Sequence, residues 1–316
     1  MKIIVQVDGG AARGYLPLVA MEWLESATKI SFNSRTDLLC GTSTGSIICG
    51  SLAAGVTASE LRRTYEEKTP YLFKKRFILN PFRWAKGMFD RKKFINVINH
   101  TLDKYAIKQR GDTRKLKNLD NTYMSTAYDL VDEHTMFFKS DASKDAYLDL
   151  TDVIAWSALS AAGYFGAIDA QIAGKWHRFN DGGQGVKNCT LLDCIDETEI
   201  RGWDKEECII ISFGCGYPKR GRNYKYVKKW GTFRQAWDYI FGGQTREEVT
   251  YDQVRRALAR SDRKDNLHIF RLDMELPEKV LDFGYRNVSE LHRLSKEYIN
   301  QRTMRELVNM LREKLG

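Results

Sequence analysis

The sequence predicts a three-layer α/β/α sandwich with a mainly parallel central sheet. Two apolar segments of strand length, residues 2–7 and 36–40, each run into a glycine-rich turn and then into a segment with helical periodicity. A third segment, residues 207–216, indicates a core strand that also ends in glycines. Repeated strand–turn–helix units are typical of a parallel sheet that helices cover on both faces.

The first turn reads Asp8, Gly9, Gly10, Ala11, Ala12, Arg13 and Gly14. It precedes a helix predicted over 15–27, and Pro17 suits the first turn of that helix because its missing amide donor costs little there. Backbone amides at a helix N-terminus, beside the cation of Arg13, can bind an anion. A dinucleotide-binding loop is the competing interpretation, but it needs glycine where Ala11 stands. A P-loop needs Gly-Lys-Ser/Thr, which is missing here.

The second turn places Ser43 between Gly41 and Gly45. The helix predicted over 44–55 is small and apolar on nearly all sides, which indicates a buried helix. A strand, a sharp turn and a helix in this order expose a serine as a strained nucleophile elbow. A glycine-rich structural turn is the alternative.

The third turn, Asp181-Gly182-Gly183, is a weak motif by itself. It follows a buried helix predicted over 151–162 and precedes the core strand at 207–216. An aspartate has a free pKa of about 3.9, and burial would raise that pKa and make the carboxylate a stronger base for a serine. In a histidine triad, His268 or His292 would serve instead, while His177 is predicted to be a partly buried polar residue on a strand.

Together the three motifs resemble the patatin-like phospholipase family, which is marked by Asp-Gly-Gly-Gly-x-Arg-Gly, Gly-Thr-Ser-Thr-Gly and Asp-Gly-Gly in this order. The resemblance covers about residues 1–216. It implies Ser43 as the nucleophile and Asp181 as its base, with an oxyanion hole from the amides of Gly10 and Ala11 and support from Arg13. The positions that support the motifs are Asp8, Gly9, Gly14, Gly41, Gly45, Gly182 and Gly183.

Ala11 departs from the family pattern, which has a third glycine there. Alanine still offers its amide, so the oxyanion hole is unstrained if the backbone angle φ at Ala11 is negative. A positive φ would add about 1 kcal/mol or more of strain.

The resemblance implies a serine acyl-ester hydrolase of phospholipase A type that cleaves fatty acyl esters of membrane phospholipids without a metal or a cofactor. Some bacterial members resemble antiviral effectors that a cyclic nucleotide switches on, so a cyclic nucleotide activator is a further expectation. The alternative from another class is a non-catalytic protein that binds phosphate headgroups or nucleotides and keeps the glycine turns as a scaffold.

The net charge of +9 is concentrated in two segments. Residues 61–117 hold 17 Lys/Arg against five Asp/Glu, and residues 217–234 hold seven against none. Cations among aromatic residues suit an anionic membrane, where each adds about 1 kcal/mol, or else a nucleotide. A solvated face whose aromatic residues turn to the core is the third interpretation. The residues predicted to contact a membrane or an anionic ligand are Lys74, Lys75, Arg76, Trp84, Arg220 and Arg222.

The length of 316 residues suits one large α/β domain with an appendage. We expect a catalytic core over 1–216, with a basic aromatic insertion at about 61–117, and a mainly helical C-terminal extension over 217–316. In that extension, helices are predicted over 230–241, 247–259 and 288–315, and a strand over 267–272.

Six cysteines without a Cys-x-x-Cys pair, no signal-peptide pattern and no bilayer-length apolar run indicate a cytoplasmic protein. We expect it to associate peripherally with the inner face of the membrane. The sequence leaves open whether the protein forms a homo-oligomer.

Overall fold

The computed structural model describes residues 1–75, 87–105, 114–185, 187–218, 228–229, 231, 244–261 and 266–315. The strands in these ranges are β1 (Lys2–Val7), β2 (Leu38–Gly41), β3 (Thr122–Asp129), β4 (His134–Lys139), β5 (Ile168–Ile172), β6 (Lys175–Asp181), β7 (Cys208–Phe213), β8 (Tyr217–Pro218), β9 (Leu267–Leu272) and β10 (Glu275–Leu276). The α-helices are α1 (Tyr15–Thr28), α2 (Phe32–Arg35), α3 (Thr44–Ala53), α4 (Ala58–Leu72), α5 (Arg91–Tyr105), α6 (Leu150–Ala158), α7 (Gly182–Gly185), α8 (Leu191–Ile200), α9 (Gln244–Ser261), α10 (Glu278–Leu281), α11 (Val288–Ile299) and α12 (Arg302–Leu315).

The described strands form an eight-stranded sheet in the order β5-β6-β3-β2-β1-β7-β9, with β4 paired to β3. The neighbouring strands β3, β2, β1, β7 and β9 run parallel. Along β1, Ile3 and Val5 pack into one hydrophobic cluster, and Ile4 packs into another. Since successive side chains of a strand point to opposite faces, the sheet is covered on both sides. The predicted three-layer α/β/α fold is confirmed.

One edge of β3 is shared by two strands that run toward each other. β4 pairs with β3 from Met124 to Asp129 along one edge, so β2 and β6 must both lie along the other. There, β2 is parallel to β3 and ends with Gly41 opposite Ser125, whereas β6 is antiparallel and ends with Asp181 opposite Ala127. The carboxyl ends of β2 and β6 therefore face each other across Thr126, about 7 Å apart along β3.

The C-terminal hundred residues contribute to the sheet as well as covering it. The predicted strand at 267–272 is observed as β9, parallel to β7, and α9 contains the helix predicted over 247–259. The helical segment predicted over 288–315 is observed as two helices, α11 and α12, with a break at Asn300 and Gln301. Apart from Gly231, the helix predicted over 230–241 lies outside the described residues, and the domain boundary at 216 stays a prediction.

The helix predicted over 151–162 is shorter in the structure, where α6 ends at Ala158.

None of the helices in the described ranges combines the length and the apolar character needed to cross a membrane.

Candidate active site

Ser43 lies at a sharp turn between β2 and α3. Its backbone angles are φ 55° and ψ −125°, a conformation that costs a non-glycine residue of the order of 1–3 kcal/mol. The turn needs glycine on both sides of the serine: a Cβ on Gly45 would overlap the carbonyl group of Val7, and one on Gly41 would overlap the carbonyl group of Gly45. The strained elbow predicted from the sequence is confirmed.

Asp181 is the last residue of β6 and is only 3% exposed. Its Oδ1 accepts a hydrogen bond of 2.9 Å from the amide of Gly183. The intervening residue, Gly182, lies so close to β3 that an added Cβ would overlap the hydroxyl oxygen of Thr126. The aspartate turn therefore packs on Thr126.

The serine turn packs on Thr126 as well. The hydroxyl oxygens of Thr42 and Thr126 lie 2.7 Å apart and are buried. The Thr42 hydroxyl also donates a 2.7 Å hydrogen bond to the carbonyl oxygen of Lys187. One buried threonine of β3 thus contacts the residue before Ser43 and the residue after Asp181, a role that no local pattern around Thr126 signals.

Asn188 provides a second meeting point for the motifs. A Cβ on Gly9 would lie 2.9 Å from Cβ of Ser43 and would overlap Oδ1 of Asn188. A Cβ on Gly183 would lie 2.8 Å from the same Oδ1 and 3.2 Å from Oδ1 of Asp181. Gly9 of the first motif and Gly183 of the third therefore both lie against this asparagine side chain, and Gly9 also lies against Ser43 of the second motif.

The first glycine turn continues into a short 3₁₀ helix, Ala11–Gly14, in front of α1. Ala11 has φ 51°, so the positive-φ case holds and strain of about 1 kcal/mol or more is present at this position. Arg13 donates from Nε to the carbonyl oxygen of Gly10 at 3.1 Å. Within the described ranges, the backbone amides of Gly10 and Ala11 donate no hydrogen bond to a backbone carbonyl outside the helices and strands.

Behind this turn, Asp8 belongs to a buried ion pair that the sequence did not suggest. Arg271 of β9 donates to both carboxylate oxygens of Asp8, at 3.0 and 2.6 Å, and to Asp273 at 2.6 Å. Burial opposes the charge on Arg271, but the carboxylates of Asp8 and Asp273 outweigh it and raise the pKa of the guanidinium. The available signal was a lone arginine within an otherwise mostly apolar strand.

Comparison with known proteins fits this geometry. The family model "Patatin-like phospholipase" matches residues 6–192, which is more than half of the chain. The chain belongs to the patatin-like phospholipase family.

Two curated relatives show how far the likeness to this patatin-like chain extends. Patatin-like protein 2 of Oryza sativa subsp. indica is 28% identical over 272 residues, covering 74% of this chain and 65% of the relative. The cUMP-AMP-activated phospholipase of Escherichia coli is 25% identical over 236 residues, covering 72% and 69%. The chain thus spans about two thirds of the length of these relatives.

Among solved structures, VipD from Legionella pneumophila aligns with a TM-score of 0.43 and 13% identity. The alignment covers 94% of this chain and 67% of VipD.

An apolar cavity of the patatin-like chain begins at Ser43 and Ala11. Helices α4 and α5 supply much of its wall, including Leu61, Phe94 and Ile98. The Tyr65 phenol hydrogen-bonds Thr44 and also lines the cavity. Burial raises the pKa of this phenol well above its usual range.

The histidines that the sequence analysis considered for the site have partners other than the serine. His177, on β6, is 7% exposed, and its Nδ1 lies 2.7 Å from Oδ2 of Asp129. His292 lies 3.1 Å from the hydroxyl of Tyr15, and His268 pairs with Glu207 at 3.3 Å. No histidine lines the cavity at Ser43 within the described ranges, so the geometry does not favour a histidine triad.

His177, Asp129 and Asp132 also form the one group of candidate metal-ligating side chains in the described ranges, with ligand atoms within 4.8 Å of one another. Asp132 is bound to the ammonium of Lys175 at 2.5 Å, and Asp129 accepts from His177 and from backbone amides. These contacts account for the cluster as a set of bonds within the protein, where β3 pairs with β6.

Of the residues predicted to contact a membrane or an anionic ligand, Lys74 and Lys75 are exposed just after α4. Arg76, Trp84, Arg220 and Arg222 lie outside the described residues.

Proposed function

We propose that the chain is a serine acyl-ester hydrolase of phospholipase A type that cleaves fatty acyl esters of phospholipids through a Ser43–Asp181 dyad. The meeting of β2 and β6 on one edge of β3 carries this proposal, since it sets the Ser43 and Asp181 turns against the same Thr126. A buried carboxylate next to a serine on a strained elbow is suited to take the hydroxyl proton.

In the first half of the reaction, Asp181 accepts the proton of the Ser43 hydroxyl as Oγ attacks the ester carbonyl carbon. Negative charge then builds on the former carbonyl oxygen, and the amides of Gly10 and Ala11 are the donors proposed to stabilise it. Loss of one such donor typically costs about 3 kcal/mol of barrier. The intermediate collapses, the alcohol part of the lipid takes the proton from Asp181, and the acyl group stays on Ser43.

In the second half, Asp181 removes a proton from a water molecule that attacks the acyl-Ser43 ester. Collapse of the second tetrahedral intermediate returns the proton to Ser43 and releases a fatty acid. Alkoxide leaves more readily than amine, so this site is better suited to lipid esters than to peptides.

The choice of an acyl substrate is supported by the cavity at Ser43. Its walls are almost entirely apolar, with Ile47, Leu159 and Phe165 among the lining side chains. A fatty acyl chain placed there would lose contact with water, which favours binding by about 0.8 kcal/mol per buried methylene.

We propose that regulation by a nucleotide is a second property of the chain. The observation that favours it is the Escherichia coli relative, whose name describes a phospholipase activated by cUMP-AMP. In this interpretation, hydrolysis is slow until a cyclic nucleotide binds, and the protein acts in antiviral defence.

The proposal is tested with Ser43→Ala and Asp181→Asn, with Ser34→Ala and Asp169→Asn as matched controls at exposed positions. We expect a fluorophosphonate probe to label the wild type and both controls but not Ser43→Ala. Mass spectrometry of phospholipid vesicles should show fatty acid release falling at least a thousandfold in both dyad variants. Labelling of Ser43→Ala at the wild-type rate would contradict Ser43 as the nucleophile. A wild type that shows neither labelling nor fatty acid release would leave the non-catalytic alternative.

The nucleotide arm repeats the release assay after incubation with a panel of cyclic di- and trinucleotides. Calorimetry under the same conditions separates binding from activation. Absence of both heat and rate increase across the panel would contradict nucleotide regulation without affecting the dyad.

A further inference from the structure

A polar cleft lies between α4 and α5, on residues that the proposed chemistry does not use. Lys68 and Tyr71 of α4 line it from one side, and Lys93, His100 and Lys104 of α5 line it from the other. One carboxylate, Glu67, is also part of the wall, so three lysines face one acidic group. The cleft is therefore cationic at neutral pH.

The cations of the cleft are weakly engaged within the protein. The ammonium of Lys68 is 3.9 Å from the carboxylate of Glu67, at the outer limit of an ion pair. The ammonium groups of Lys93 and Lys104 lie over the rings of Tyr71 and Tyr105, 4.5 and 4.6 Å from the ring centres. A contact with a ring face holds a cation in place without neutralising it, so these groups retain their attraction for an anion.

The same face lies directly over the apolar cavity that begins at Ser43. Thr64, Val97 and Thr101 line both the cleft and that cavity. Tyr71 is 51% exposed at the cleft, and tyrosine is enriched where an apolar region meets a wet one. Cationic, aromatic and apolar groups thus follow one another from the surface inward.

We propose that the α4–α5 face docks the protein on an anionic bilayer, with lipid headgroup phosphates bound among Lys68, Lys93 and Lys104. Lysine is a strongly hydrated point charge, and these lysines are exposed or half-buried. Such groups suit many phosphates of a surface rather than one fixed ligand. A soluble nucleotide would require buried polar groups that read its base, whereas the lysines and His100 are solvent-accessible.

The biological use of docking on this face rests on the proposed function, because docking would bring the acyl cavity to its substrate. The bilayer would lie against the side of the protein that holds the acyl cavity. An acyl chain would then pass from the bilayer to the cavity with little exposure to water, which reduces the cost of extracting it.

The test measures vesicle binding with the whole 316-residue chain carrying Ser43→Ala, so that hydrolysis does not alter the vesicles. Co-flotation is measured with phosphatidylcholine vesicles containing 30% phosphatidylglycerol and with pure phosphatidylcholine. In the same background, Lys68→Gln/Lys93→Gln/Lys104→Gln is compared with Lys144→Gln/Lys205→Gln/Lys296→Gln, a triple change of equal charge at exposed positions. Circular dichroism melting checks that both variants are folded.

We expect the cleft variant to lose about a hundredfold in its partition onto phosphatidylglycerol vesicles, since each lysine near an anionic surface is worth roughly a fivefold change. The control variant should lose less than tenfold, and added salt should weaken wild-type binding. Equal partition of the cleft variant and the control would overturn the proposal. So would displacement by millimolar glycerophosphate, or lysine-dependent heat with a cyclic nucleotide but no vesicle binding.

These outcomes are independent of the dyad. If Ser43 proved not to be the nucleophile, the vesicle measurement would still report on the docking face. If docking failed while Ser43→Ala abolished labelling, the hydrolase proposal would stand alone.

Discussion

Arg271 and Asp8 form a buried two-point ion pair across 263 positions of the chain. The pair joins the last parallel strand of the sheet to the residue directly before Gly9 and Gly10. Gln6 donates a further hydrogen bond of 2.9 Å to Asp8, and Ser212 accepts one of 2.8 Å from Arg271. The glycine turn beside Ser43 therefore rests on a fully bonded polar network.

We expect Arg271→Met to lower the free energy of unfolding by about 3–5 kcal/mol, because it leaves the buried carboxylates of Asp8 and Asp273 without their cation. Urea denaturation followed by circular dichroism measures this loss. The matched control is Arg178→Met, which removes an arginine from a 2.7 Å pair with Asp169 in which both side chains are more than half exposed. The control should cost less than about 1 kcal/mol, and equal losses in the two variants would contradict the importance of burial.

A comparison of Ala11 with Ala12 separates the effect of backbone strain from the effect of losing a methyl group. Ala11 has a positive φ of 51°, whereas φ at Ala12 is not positive, and both side chains are buried. Glycine relieves the left-handed strain only at the first position. We expect Ala11→Gly to be more stable than Ala12→Gly by about 1–2 kcal/mol in thermal or urea unfolding. The opposite order would show that Ala11 is not strained.

Glycines of α3 differ in what surrounds them. A Cβ on Gly45 would meet the backbone of Val7, which cannot rotate away, so we expect Gly45→Ala to cost about 3 kcal/mol or more and to abolish probe labelling at Ser43. A Cβ on Gly50 would lie 3.0–3.2 Å from the tips of Leu150, Ile154 and Tyr123.

Those side-chain tips can move by a few tenths of an ångström, and alanine is the better helix former by about 1 kcal/mol. Gly50→Ala should therefore stay within about 1 kcal/mol of the wild type and keep its labelling. A Gly45→Ala protein with wild-type stability and labelling would show that the elbow does not need the close approach of α3 to β1.

We expect the ionisation of Asp129 to make the free energy of unfolding depend on pH. Burial opposes its ionisation, but hydrogen bonds from His177 and from the amides of Val131 and Arg178 outweigh it and lower the pKa of this carboxyl. Because the folded pKa lies below the unfolded value of about 3.9, ionised Asp129 stabilises the fold above about pH 4, and this contribution is lost as the pH falls through the folded pKa.

Asp129→Asn should therefore cost about 2 kcal/mol at pH 7, and its difference from the wild type should narrow below pH 4. Urea unfolding between pH 7 and pH 3 measures the difference, with the exposed Asp169→Asn as control. A difference that stays constant or widens toward acid would contradict the assigned hydrogen bonds.

Local features of the site could be predicted from the sequence because they depend on neighbours in the chain. Apolar runs predicted β1, β2 and β7, and the glycines on either side of Ser43 predicted the elbow. The sign of φ at Ala11 could not be predicted, since alanine adopts both signs and only the surrounding packing selects one.

Long-range relationships were missed because they depend on strand register. That β2 and β6 end on the same edge of β3 is a property of pairings between distant segments. The break between α11 and α12 was missed for another reason. Buried residues recur at helical spacing on each side of it, up to Tyr298 and again from Met304, and no glycine or proline marks Asn300 or Gln301.

The position of β9 beside β7 has a consequence for dissecting this protein. A fragment that stopped at residue 216 would lack β9, and the unpaired amides and carbonyls of β7 would be open to water along the strand. β7 is apolar and fully buried in the intact chain. Such an edge recruits strands from other molecules, so the fragment would aggregate rather than behave as a smaller folded domain.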